Sequence, residues 1–197
     1  MGVVRSVEFL GGMAEPQGWR PRSNLPEIAF AGRSNVGNSS LVNRLLRRRI
    51  ARVSRTPGRT RTVNFYKAND RFVLADLPGY GFARAARQER DSWYRMVRGY
   101  LTDSPQLRGV VLLLDVRHDP TRDDLEFMDF LAEAGLPVLI AVTKVDKVSA
   151  ADAARRLQGL AETLDVGEDQ LLAVSSRTGK GIPELERAIA ALLESHR

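Results

Sequence analysis

A chain of 197 residues with 43% hydrophobic and 27% charged side chains has the size and composition of one α/β domain with a sizeable core. It has no cysteine, which excludes disulfides and thiolate metal sites, and its longest apolar runs, Val110–Leu114 and Leu136–Val142, are too short to span a bilayer. The net charge of +6 is carried mainly by arginine; between Glu27 and Asp70 nine arginines and one lysine stand with no acidic residue, a local field that favours phosphate.

Residues 1–26 read as an N-terminal extension, broken by Gly11-Gly12, Pro16, Pro21 and Pro26, without the long apolar segment of a signal peptide. Residues 27–197 read as one domain. Ile28–Ala31 is predicted as a buried strand and Ser39–Arg48 as a helix. Val63–Ala68 and Phe72–Ala75 are predicted strands joined by a hairpin turn at Asn69-Asp70. Gln88–Thr102 is predicted helical, with Trp93, Met96, Val97, Tyr100 and Leu101 at helical spacing. A strand over Gly109–Val116 and a helix over Thr121–Ala134 follow, the helix with Leu125, Met128 and Leu131 as its apolar stripe. Strands over Val138–Val142 and Leu171–Val174 alternate with helices over Ala150–Leu164 and Pro183–Leu193. This alternation predicts a three-layer α/β fold. Its sheet is expected to be mostly parallel, with six strands, one of them antiparallel, and helices on both faces. In such sheets ligands bind beyond the carboxyl ends of the strands.

Those strand ends carry the informative residues. The first strand runs into Gly32-Arg33-Ser34-Asn35-Val36-Gly37-Asn38-Ser39, a phosphate-binding loop pattern with asparagine where lysine is required. Glycines permit a tight loop whose N–H groups surround phosphate, and the following helix start adds its dipole. Ser39 is the expected magnesium ligand. Asp76-Leu77-Pro78-Gly79 ends the next parallel strand and matches D-x-x-G; Asp76 would hold a magnesium-bound water, and the Gly79 N–H would meet the γ-phosphate. Thr143-Lys144-Val145-Asp146 matches [NT]-K-x-D. The Asp146 carboxylate can accept from guanine N1 and N2, a donor pair adenine lacks, while Lys144 packs its stem over the base and braces the loop. Val174-Ser175-Ser176 stands where a further base-contacting loop is expected, although a generic serine turn explains it equally well. Thr60, in Gly58-Arg59-Thr60-Arg61-Thr62, stands where a switch threonine would cap magnesium. Together these loops predict a P-loop G-domain binding GTP and GDP, with Thr60, Asp76 and Gly79 as the candidate catalytic set. A P-loop kinase or ATPase has no use for Thr143–Asp146.

The segments Phe30–Gly37, Thr56–Thr62, Asp76–Ala83 and Asp115–His118 together resemble the bacterial EngB-type GTP-binding proteins, in the wider Era/TrmE-like class. The resemblance spans roughly residues 24–195. It implies a cytoplasmic protein, magnesium held by Ser39 and Thr60, and a role in large ribosomal subunit assembly, cell division and septation. The expected partners are guanine nucleotide and ribosomal RNA, with no DNA and no membrane, and the expected state is a monomer. The arginine-rich stretch Arg44–Arg61 is the candidate RNA-facing surface.

Two positions bear on catalysis. Tyr80 follows D-x-x-G where many G proteins carry a water-orienting glutamine, so intrinsic hydrolysis is expected to be slow. Relatives with this substitution use potassium held by a P-loop asparagine; Asn35 matches it, or else braces the loop by backbone hydrogen bonds. Asn38 removes a charge-assisted phosphate contact. It is open to four readings: a one-base change from lysine, a natural member poor in hydrolysis, compensation by Arg59 or Arg61, or a non-hydrolysing scaffold that keeps only the fold.

Overall fold

The computed structural model describes residues 4–16, 18–51, 62–81 and 87–195. Its strands are β1 (Val7–Met13), β2 (Glu27–Gly32), β3 (Val63–Ala68), β4 (Phe72–Asp76), β5 (Leu107–Asp115), β6 (Val138–Thr143) and β7 (Leu171–Ala173). Its helices are α1 (Asn38–Leu45), α2 (Arg87–Asp103), α3 (Arg122–Glu133), α4 (Ala150–Leu164) and α5 (Ile182–Glu194). The strands form one sheet in the order β1-β3-β4-β2-β5-β6-β7. Only β3 runs against the rest, antiparallel to both of its neighbours.

Alternation along β2 explains the three layers. Ile28 and Phe30 face one side and join Leu41, Val42 and Leu45 of α1 with Leu185 and Ile189 of α5. Ala29 and Ala31 face the other and join Val97 and Tyr100 of α2 with Phe127 and Leu131 of α3. Leu160 and Ala161 of α4 cover Ile140 and Val142 of β6. The predicted hairpin closes through Asn69, Asp70 and Arg71, since Ala68 pairs with Phe72; the Arg71 N–H donates to Ala68 O (3.0 Å) across Asn69 and Asp70, which stand in the left-handed region at φ 52° and 51°.

Two expectations change. The sheet has seven strands rather than six, because β1 lies within the stretch read as an extension. Gly11, read as a breaker, pairs with Phe65 directly after a bulge at Leu10 on this edge strand and stands at φ 146°; a Cβ there would meet the Trp19 ring at 2.6 Å. The apolar face of α3 is also rotated. Asp124, Phe127, Phe130 and Leu131 are buried while Leu125 is exposed. The phase is set by Asp124, which accepts from the Thr121 N–H (2.8 Å) and the Tyr80 hydroxyl (2.8 Å) and so must point inward.

Glu27, at the start of β2, is buried and accepts from the Tyr100 hydroxyl at 2.9 Å. Burial pushes its carboxyl above the usual value of 4.5, against the opposing pull of Tyr100 and Arg20. A carboxyl raised on folding stabilises the fold below its unfolded value and loses that contribution as pH rises. Glu27→Gln keeps an acceptor for Tyr100 and removes the buried charge. Its melting temperature relative to the parent is therefore expected to be more favourable at pH 7.5 than at pH 4, read from thermal melts at both; a difference independent of pH would contradict this.

Candidate functional site

Four segments meet beyond the carboxyl ends of β2, β4, β6 and β7. The loop after β2 turns through Asn35 (φ 66°) and Gly37 (φ 111°) into α1, which places the backbone of residues 33–39 around the helix start. The segment after β4 packs directly on this loop. The Leu77 N–H donates to Phe30 O (3.0 Å), the Tyr80 N–H to Gly32 O (3.3 Å) and the Ser34 N–H to Tyr80 O (2.9 Å). Gly79 is held so close to Ser34 that a Cβ would lie 2.8 to 2.9 Å from its Oγ, Cα and N, so only glycine fits without displacing the loop. Trp93 of α2 fixes the same segment from behind through its indole N–H on Pro78 O (2.8 Å).

Asn38 points beneath the loop. Its amide nitrogen lies 2.9 Å from Phe30 O, 2.8 Å from Asp76 Oδ1 and 3.2 Å from Leu77 O, so its two N–H bonds are committed to the sheet end. Its Oδ1 is buried with no hydrogen-bond partner among the described residues. The Ser39 hydroxyl donates to Asp76 Oδ2 at 3.0 Å. Asp76 is almost wholly buried, and burial pushes it up to about 7 despite the Ser39 hydrogen bond. A buried carboxylate and a hydroxyl at the start of a helix are an all-oxygen donor set, which suits a hard divalent cation. The magnesium expected at Ser39 therefore fits the residues present. Gly58, Arg59, Thr60 and Arg61 lie outside the described residues; Thr62 stands at the foot of β3, its hydroxyl on Asn64 Oδ1 (3.0 Å).

Lys144 and Asp146 reach the loop from β6. The Thr143 hydroxyl sits 2.9 Å from Val36 O and 3.1 Å from Leu114 O, tying the two strand ends together. Lys144, at φ 59°, extends its ammonium to Asn35 O (2.5 Å) and Asp115 Oδ2 (2.9 Å). Its Cε lies 3.9 Å from where a Gly37 Cβ would stand. Val145 is buried and donates its N–H to Val174 O (3.4 Å). Asp146 accepts from the Ser175 hydroxyl at Oδ1 (2.7 Å) and from Arg177 Nε at Oδ2 (3.0 Å). The Ser175 hydrogen bond, helped by the backbone N–H of Asp146 and then by the arginine's charge, holds this carboxyl below its usual value. Ser175 also accepts from the Thr178 N–H (3.1 Å), so its hydroxyl is a fixed post rather than a free turn residue; Ser176 is half-buried beside it.

Three functional candidates escaped the sequence reading. Asp115, quoted there only as part of a motif, orients Lys144. Burial pushes its carboxyl up, but hydrogen bonds from Arg117 and Lys144 outweigh this and hold it well below the usual carboxylate range. Arg177 covers one oxygen of Asp146 from 31 residues away, a pairing no local pattern announces. Asp124 anchors Tyr80, whose ring is buried against Trp93 and Phe127. Asn35, by contrast, makes no side-chain hydrogen bond among the described residues, so bracing by its side chain is not seen.

Comparison with known proteins gives the same picture. A family model described as "50S ribosome-binding GTPase" matches residues 27–144. A relative from Gemmatimonas aurantiaca, named probable GTP-binding protein EngB, is 54% identical over 192 residues, covering 97% of this chain and 94% of its own. A crystal structure of a probable GTP-binding protein engB superposes with TM-score 0.72 at 26% identity over 86% of this chain and 100% of that one. Era, solved with MgGDPNP and a 16S ribosomal RNA fragment, shares the fold at TM-score 0.69 and 19% identity, over 89% of this chain and 59% of its own.

Proposed function

Because this chain belongs to the EngB family of GTP-binding proteins, we propose that it is a guanine-nucleotide switch that hydrolyses GTP slowly and acts in the cytoplasm as a monomer. Its role is in large ribosomal subunit assembly, and through that in cell division and septation. The observation that carries the nucleotide reading is the placement of Asp146, posted by Ser175 at the edge of the sheet, beside a loop that Lys144 ties down. A carboxylate so held reads the N1 and N2 donors of guanine, with Val174 and Ser176 lining the same edge. The backbone of Gly32–Ser39 receives the phosphates, and Gly58–Thr62 is the expected switch stretch. Leu77 and Pro78 carry the chain from Asp76 to Gly79.

Ser39 and Thr60 would hold magnesium, with Asp76 behind a bound water. The ion would neutralise charge on the β- and γ-phosphates. Of the candidate catalytic set, Thr60 and Asp76 would act through the magnesium, and the Gly79 N–H would meet the γ-phosphate. Tyr80 offers no group to orient water, because its hydroxyl is spent on Asp124. This supports slow turnover and a role for potassium at Asn35. The ribosome-binding GTPase family that this chain matches, and the RNA in the Era structure, support a ribosomal partner. No helix among the described residues is long and apolar enough to cross a membrane. The scaffold reading, a non-hydrolysing G-fold that binds ribosomal RNA or protein and has lost nucleotide cycling through Asn38, is not favoured beside relatives named as GTP-binding.

The test is a titration with fluorescent GDP, GTP and ATP analogues, with and without magnesium, followed by turnover in potassium and sodium buffers of equal ionic strength. Both guanine nucleotides are expected to bind, ATP to fail, magnesium to favour GTP, and potassium to speed turnover. Equal binding of ATP would refute the guanine reading, and equal turnover in the two salts would remove potassium from it.

A further inference from the structure

A second concave feature lies away from the nucleotide loops, beside the C-terminal end of α1. The helix closes with the Arg48 N–H on Asn43 O (3.2 Å) and the Arg47 N–H on Arg44 O (3.2 Å), the two bonds of a Schellman closure. That closure needs one left-handed residue. Arg47 fills the position at φ 52°, where glycine would sit without steric cost. Asn43 then clamps the outgoing chain: its Oδ1 accepts from the Ile50 N–H (2.9 Å) and the Ala51 N–H (2.8 Å), and its Nδ2 donates to Ala51 O (2.8 Å).

The clamp leaves Arg47, Arg48 and Arg49 exposed in succession. With Arg44, whose guanidinium lies over Gly179, they line a cleft of about 570 Å3 on the α5 side. Glu186 is the one acidic residue on its wall among the described residues. Elsewhere arginines find carboxylates, as Arg117 does Asp115 and Arg156 does Asp119. None of these four forms an ion pair among the described residues. Crowded like charges repel, and an arginine at a glycine position adds backbone strain. Both costs fall on one cleft, and a polyanion is what offsets them.

We propose that this cleft binds the phosphate backbone of RNA, with Arg47 a binding residue whose charge outweighs its poor fit to the turn. The choice of RNA rests on the ribosomal reading above. Guanidinium groups grip phosphate oxygens in pairs, and four of them spread along a cleft match successive phosphates of a chain better than a single small anion.

Three proteins test this: the parent, Arg47→Gly and Arg49→Gln, each assayed by anisotropy on a fluorescein-labelled RNA hairpin over a series of salt concentrations. Each variant is expected to bind several-fold more weakly at about 0.1 M salt. The slope of log affinity against log salt should flatten by about 0.7 to 0.9 per arginine removed. Arg47→Gly is expected to melt no lower than the parent, so its loss of affinity is not a loss of fold. Variants that bind like the parent, with unchanged slope, would overturn the cleft while leaving the ribosomal reading intact. Polyglutamate displacing the hairpin as well as unlabelled RNA, at equal charge, would overturn RNA as the occupant. A parent that neither binds the hairpin nor co-sediments with large ribosomal subunits would end the ribosomal reading itself.

Discussion

Asp146→Asn is expected to weaken GTP binding by about two to four orders of magnitude and to open the site to xanthosine triphosphate. Guanine presents two adjacent donors, N1–H and the N2 amino group, and the carboxylate presents two acceptors. Each charge-assisted bond of this kind contributes about 1.5–3 kcal/mol, so losing both costs about 3–6 kcal/mol. An amide offers one acceptor and one donor. It leaves the guanine amino group facing an N–H, whereas xanthine, with an oxygen in place of that amino group, meets the amide with complementary groups. The neighbours sharpen the effect. Ser175 already donates to Oδ1 and Arg177 to Oδ2, so an amide nitrogen on the Arg177 side would face a second donor. The fold should survive, since Ser175 keeps its bond from the Thr178 N–H and Thr143 keeps both strand ends tied. Titration with fluorescent GTP and xanthosine triphosphate checks this; GTP affinity within threefold of the parent would show that Asp146 does not read the base.

The sequence displayed this site well wherever the signal was local. Gly79 has no room for a Cβ beside Ser34, and the D-x-x-G spacing announces that contact. The Asn69-Asp70 turn is likewise local, because asparagine and aspartate tolerate the left-handed φ that both adopt there. What stayed hidden depends on partners distant in the chain. The edge strand β1 exists because β3 offers it a ladder and Trp19 fills the space over Gly11, and neither is visible from Gly11-Gly12 alone. The phase of α3 follows from Tyr80 reaching Asp124 across 44 residues, which buries a carboxylate where periodicity favours Leu125. Arg177 on Asp146 and Asp115 on Lys144 are likewise contacts between different strand ends. Asn38 is the sharpest case. Its identity was plain as a departure from pattern, but its direction was not, because the acceptors that turn it inward belong to β2 and to the segment after β4.

That direction decides what Asn38→Lys should do. In the present chain the amide cannot serve phosphate without giving up Phe30 O, Asp76 or Leu77 O, and its own Oδ1 is already buried without a donor. An unsatisfied buried acceptor costs about 1–3 kcal/mol. Lysine has no acceptor to orphan and carries three N–H donors on a longer stem, so it can keep a carbonyl at the sheet end and still extend into the loop. Its charge would also lie near Asp76, which has no cationic partner among the described residues. A recovered charge-assisted bond to phosphate of about 1.5–3 kcal/mol corresponds to GTP binding tighter by roughly ten- to a hundredfold. Turnover should rise by at least as much, since the ammonium meets charge that grows on the phosphates as the reaction proceeds. Asn38→Met separates the two contributions: it supplies length and removes the orphaned oxygen but brings no charge, so it should leave GTP affinity at or below that of the parent. Calorimetric titration of all three proteins with GTP and GDP reads the outcome. A lysine variant within twofold of the parent for both nucleotides would mean that the loop amides and magnesium already carry the phosphate binding, and that the missing cation is not the defect in this chain.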